Sequence, residues 1–184
     1  MASTEQVPGI RPRKTLGRRL DIAARHAFPM GCTILLMLLT EAPFGIADQT
    51  TLLPAVTFAC VYFWTLFRPA AMPPPVVFMT GVLFDLLGYL PLGVGVLTLL
   101  VLHGLVLRLR VVLLRQRFLA VWLSFAGFGA CAAVLDWLLT ILLSFSWVSI
   151  GPTVFEALLA AAVYPALAIL FSRAHHTLAA PERA

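Results

Sequence analysis

Four carboxylates set in apolar surroundings, Glu41, Asp85, Asp136 and Glu156, are the residues of this chain with the most chemistry to explain. An ionised acid near the centre of a bilayer costs roughly 2.5–3.5 kcal/mol on insertion scales. Each acid must therefore face a protein interior or water, lose its charge, or meet a donor from a partner. Asp85 is the most pointed case. It lies in the stretch 78–93, Phe-Met-Thr-Gly-Val-Leu-Phe-Asp-Leu-Leu-Gly-Tyr-Leu-Pro-Leu-Gly. At 3.6 residues per turn Phe78, Gly81, Asp85 and Gly88 share a face, and the glycines admit the backbone of a neighbouring helix. Asp136 shares its face with Gly129, Ala133 and Thr140 in the same way. Together the four acids define a candidate outward-facing polar cavity, or a socket for a partner's helix. Against this stands a bland alternative, in which each acid is hydrogen-bonded to backbone or hydroxyl groups inside the fold. His103, alone in an aliphatic run, reads as a satisfied core or interfacial residue.

The elements that must hold these acids are membrane helices. Hydrophobic residues make up 61% of the 184-residue chain and charged residues 11%, with a mean hydropathy of +0.97. A soluble domain averages roughly 45–50% apolar and about 25% charged. Spans of about 20 residues fit at 27–46, 49–67, 72–88, 91–109, 118–147 and 152–171. The sequence thus predicts an all-α polytopic bundle of six transmembrane helices over 27–173. A basic, partly disordered leader (1–26) precedes it and a short tail (174–184) follows. Pro91 is expected to open the fourth span, with Gly88 closing the third. Tyr62, Phe63, Trp64 and Phe67 are expected at the membrane boundary. The fifth span is too long for a hydrocarbon core of about 30 Å, so it must tilt, or break around Gly127 and Gly129.

The formal charge of +5 sits at span ends rather than in a nucleic-acid-binding patch. Of thirteen Lys and Arg residues, six fall in the leader, one after the second span, four after the fourth and two in the tail. None falls after the first, third or fifth. Positively charged loops resist translocation, so both termini are expected in the cytoplasm. The apolar run from Phe28 is too long for a signal-peptide core and is taken as a span.

Enzymatic chemistry finds no support. The chain has no Gly-x-Ser-x-Gly, no His-Glu-x-x-His and no phosphate-cradling glycine loop. Cys32, Cys60 and Cys131 lack metal-ligand spacing and read as small core residues. No catalytic residue, metal or cofactor is expected.

The stretch that carries Asp85 resembles the rod shape-determining protein MreD family of bacterial inner-membrane proteins. The matching residues are Arg68-Pro69, Pro73 to Pro75, Phe78, Gly81, Phe84-Asp85-Leu86-Leu87 and Pro91-Leu92-Gly93. Length and basic leader agree. The resemblance implies a fold similar to the substrate-binding subunits of energy-coupling-factor transporters. It implies a non-enzymatic role in the cell-elongation machinery that maintains rod shape through lateral peptidoglycan synthesis. The implied partners are the bitopic protein MreC and, indirectly, the MreB filament, the RodA glycosyltransferase and a class B penicillin-binding protein. Phe78, Gly81, Asp85, Pro91, Leu92 and Gly93 are carried over as a partner-binding motif. The alternative reading is a small-molecule-binding transporter subunit. It meets the difficulty that no Lys or Arg stands at the depth of the acids to hold an anionic ligand.

Overall fold

A computed structural model describes the backbone of residues 16–42, 51–88, 91–147 and 149–179, and the side chains of those between 27 and 173. The described residues form six α-helices and one short 3-10 turn. In order these are α1 (Leu16–Glu41), α2 (Leu52–Phe67), the turn Pro69–Ala71, α3 (Pro74–Leu87), α4 (Val94–Leu113), α5 (Phe118–Ser144) and α6 (Gly151–Ala179). Residues 1–15 and 180–184 of the expected leader and tail lie outside the described residues.

The expectation of six transmembrane helices is corrected. Among the described residues three stretches are long and apolar enough to cross a membrane: Val94–Leu113, Phe118–Ser144 and Gly151–Arg173. The apolar stretches Ala27–Glu41, Leu52–Phe67 and Pro74–Leu87 are shorter. At 1.5 Å per residue the 16 residues of α2 rise about 24 Å, less than a hydrocarbon core of about 30 Å. The difference comes from helix ends that hydropathy does not register. Arg68 and the Pro69–Ala71 turn end α2, Pro73 is the N-cap of α3, and Gly88 ends it. A proline lacks the N–H that a helix interior needs, so apolar residues ahead of Pro74 are not added to α3.

The short α2 is the hub. It packs against α1, α4 and α6, and thirteen of its residues are buried, so it is enclosed on all sides by protein. Its rings are not the expected boundary belt. Tyr62, Phe63 and Trp64 are each 5% exposed or less, and only Phe67 is open. Tyr62 meets Phe125 and Tyr164 edge-on, at 5.1 and 5.6 Å, while Phe125 stacks on Tyr164 at 4.3 Å. Phe63 and Trp64 both pack on Phe171 of α6. The Tyr62 hydroxyl donates to the Val121 carbonyl of α5 at 3.1 Å, and the Trp122 indole donates to the Ala161 carbonyl of α6 at 2.8 Å. Aromatic pairs of this geometry are worth about 0.5–1.5 kcal/mol each beyond area burial.

Around that hub α4, α5 and α6 turn large apolar side chains outward, among them Val101, Leu105, Leu123, Leu142, Leu158 and Ile169. Their exposure suits a lipid environment and would be unfavourable in water. The long α5 does not break: Gly127 and Gly129 both lie within continuous α-helix. Cys60 is buried as expected, whereas Cys131 is exposed.

The bundle is polar along its length. Phe28 of α1 meets Trp64 near the end of α2, and Arg110 of α4 donates from Nε to the Leu66 carbonyl at 2.7 Å. These contacts gather the C-terminal ends of α2 and α4 with Arg68, Arg108, Arg110, Arg115 and Arg117 at one end. Glu41, Asp85 and Glu156 stand close to the opposite ends of α1, α3 and α6, and Asp136 bonds a residue in the first turns of α4.

Candidate functional site

The site is built where α3 hands over to α4. A helix begins with N–H groups that have no intrahelical acceptor, and in an apolar setting each must be satisfied. Here the acceptor comes from the preceding helix. Asp85 Oδ2 accepts from the Gly93 amide at 2.7 Å and from the Val96 amide at 3.4 Å, and Oδ1 accepts from the Gly95 amide at 2.6 Å. Val94 N–H goes to the Pro91 carbonyl at 3.2 Å, and Leu97 N–H opens the regular ladder on Gly93 at 3.0 Å. The carboxylate also places negative charge at the positive end of the α4 dipole. Asp85, 2% exposed, thus works as a cap donated by a neighbouring helix.

Glycines make the approach possible. A Cβ at Gly81 would lie 2.6 Å from the Val96 Cα, so α3 and α4 meet backbone to backbone there. A Cβ at Gly95 would lie 2.5 Å from Asp85 Oδ1 and run into the Phe84 ring. Gly93 has φ +102°, a conformation that side-chain-bearing residues rarely adopt, which lets the chain reverse into α4. Pro91 does not open the helix as expected: it lies in the turn, and α4 begins at Val94.

The motif residues divide by this geometry. Gly81, Asp85 and Gly93 build the clasp with buried Phe84. Phe78 and Leu92 face outward at 47% and 71% exposure, joined by Leu86 at 66%. Phe78 therefore does not share the buried face of Gly81 and Asp85.

Asp136 of α5 is 7% exposed and accepts a 2.5 Å bond from the Thr98 hydroxyl of α4, one turn beyond the clasp. Asp136 lies within electrostatic reach of both Asp85 and Glu156. Glu156 of α6 is half-buried, and its Oε1 has no hydrogen-bond partner among the described residues. The structure so draws three of the four predicted acids toward one region. Glu41, half-buried at the end of α1, takes no part in these bonds. Among the described residues no group of three or more His, Cys, Asp or Glu is arranged to hold a metal ion.

Sequence reasoning missed Gly95 and Thr98. Their signal was present in Gly93-Val94-Gly95, where paired glycines at a helix start mark close approach, with a hydroxyl three residues on. His103 is buried, with Nδ1 2.9 Å from the Thr65 hydroxyl and Nε2 unpartnered among the described residues.

Compared with known proteins, the chain matches no family model, no curated protein and no solved structure. The expected six-span fold of the energy-coupling-factor substrate-binding kind is corrected by the helix lengths, since among the described residues three helices, not six, are long and apolar enough to cross a membrane. The architecture is an all-α bundle with three helices of membrane-crossing length, and the chain is a helical protein of multi-pass membrane character.

Proposed function

We propose that this chain is a non-enzymatic integral membrane scaffold of the MreD kind. It would bind the bitopic partner MreC and, through it, link the MreB filament to RodA, a class B penicillin-binding protein and lateral wall synthesis. In this reading it resides in the bacterial inner membrane with the arginine-bearing end of the bundle in the cytoplasm, since positively charged segments resist translocation.

The observation that carries the reading is the division of the motif. Its inner residues are consumed in joining α3 to α4, while Phe78, Leu86 and Leu92 stand exposed on the outside of the same hairpin. A rigid hairpin with a protruding apolar face is suited to gripping a single transmembrane helix by packing. The acids, in contrast, are engaged internally: Asp85 by three amides and Asp136 by Thr98.

A second reading rests on Glu156. Its unpartnered buried oxygen beside Asp136 favours a small-molecule-binding transporter subunit with a cationic or neutral ligand. Mass spectrometry of proteins and small molecules that copurify with the tagged chain from native membranes in mild detergent separates the two. The scaffold predicts recovery of MreC and wall-synthesis enzymes without a stoichiometric metabolite, and loss of MreC on Leu86→Ala/Leu92→Ala. Recovery of an ATPase with a retained small molecule would overturn it.

A further inference from the structure

The arginine-bearing end of the bundle holds a cleft unrelated to the acids. It has a volume of about 340 Å³ and is formed where the ends of α2, α4 and α6 meet the start of α5. Its walls are apolar: Phe63 and Phe67 from α2, Leu113 from α4, Val121 from α5, and Tyr164 and Ala168 from α6. Pockets of roughly 300–1,000 Å³ are the usual size for small ligands. Polar groups line it at two places, Gln116 in the α4–α5 turn and Ser172 on α6.

The charges beside it are of one sign. Arg115 and Arg117 flank Gln116, are exposed, and form no ion pair with a described residue. Arg117 is the N-cap of α5 and makes no side-chain cap, so the positive end of that helix adds to the same field. Glu41, Asp85, Asp136 and Glu156, the acids whose side chains are described, stand toward the other end of the bundle. An apolar slot that opens at Gln116, with exposed arginines on either side of it in the chain, at the end of helices of membrane-crossing length, matches a molecule with an apolar tail and an anionic head. Basic pockets between transmembrane helices are a recurrent way of holding anionic lipid headgroups.

We propose that this cleft is a binding site for one anionic phospholipid, with an acyl chain against Phe63, Val121, Tyr164 and Ala168 and the phosphate at Arg115 and Arg117. A partner's apolar helix would fill the slot but leave Arg115 and Arg117 without a counterpart. A zwitterionic lipid carries a compensating cation that the two arginines would repel. The site is independent of the α3–α4 clasp and of the scaffold reading.

Native mass spectrometry of delipidated protein, titrated with phosphatidylglycerol or with phosphatidylcholine of the same chains, tests this. Wild-type protein should retain phosphatidylglycerol preferentially by roughly thirtyfold, as two arginines near a headgroup would give. Arg115→Gln/Arg117→Gln should abolish the preference, and Arg115→Lys/Arg117→Lys should restore most of it. Both pairs are exposed, so thermal unfolding without lipid should match wild type. Ala168→Phe, which narrows the slot, should lower retention of both lipids. Equal retention of the two lipids by wild type, or an unchanged preference in the Gln pair, would overturn the proposal. So would retention unaffected by Ala168→Phe, or a copurified peptide occupying the cleft in place of lipid.

Discussion

Asp85 engages both carboxylate oxygens in three backbone amides of the next helix, so its removal leaves donors stranded in an apolar interior. Loss of a capping side chain costs about 0.5–2 kcal/mol, and a stranded buried donor adds about 1–3. Asp85→Ala should therefore destabilise the bundle by about 2 kcal/mol or more, read as a fall in the thermal midpoint in detergent. Asp85→Asn keeps one oxygen acceptor and should fall roughly half as far. Equal midpoints for wild type and Asp85→Ala would contradict the cap. The type and spacing of this residue were legible in the sequence: an acid on a glycine-bearing face, just ahead of a proline turn. Its bonding partners were not, because Gly93, Gly95 and Val96 lie eight to eleven positions on, and only the reversal through Gly93 brings them back.

At the scale of elements, the all-helical character was legible, whereas the helix ends, and with them the number of helices long enough to cross a membrane, were not. Hydropathy counts apolar residues on either side of Pro74 and Gly88 alike, whereas the backbone stops at both. The same limit hid the place of α2. Its aromatic end reads as a membrane boundary from the side chains alone, yet the rings are the packing surface for α5 and α6. Glycine roles differ in a way the sequence does not show. Gly81 touches the α4 backbone, while a Cβ at Gly127 would meet nothing within 4 Å. Gly81→Ala should destabilise by about 1–3 kcal/mol through overpacking. Gly127→Ala should be neutral or stabilise by up to about 1 kcal/mol through helix propensity. Thermal unfolding of the two variants side by side checks the pair, and equal losses would remove the case for close α3–α4 contact.

Across the whole molecule, Glu41, Asp85, Asp136 and Glu156 stand toward one end, and Arg68, Arg108, Arg110, Arg115 and Arg117 toward the other, of a bundle whose outer apolar faces suit lipid. The scaffold reading and the lipid site both rest on that bundle crossing a bilayer. Charge asymmetry between loops made the separation legible in the sequence, since each change of end coincides with a change from basic to uncharged connection. The shortness of α2 and α3 was not, because it is set by helix ends at Arg68, Pro73 and Gly88 that hydropathy does not register. The most direct test brackets α5 with single thiols in a chain whose Cys32, Cys60 and Cys131 are replaced by Ala, Gln116→Cys at the arginine end and Ser146→Cys at the other, both exposed positions. These are probed in intact cells and in inverted vesicles with a membrane-impermeant maleimide. The account predicts that Ser146→Cys is labelled only in intact cells and Gln116→Cys only in inverted vesicles. Labelling of both from the same face would contradict it, because α5 would then not cross the membrane and the two ends would share one compartment.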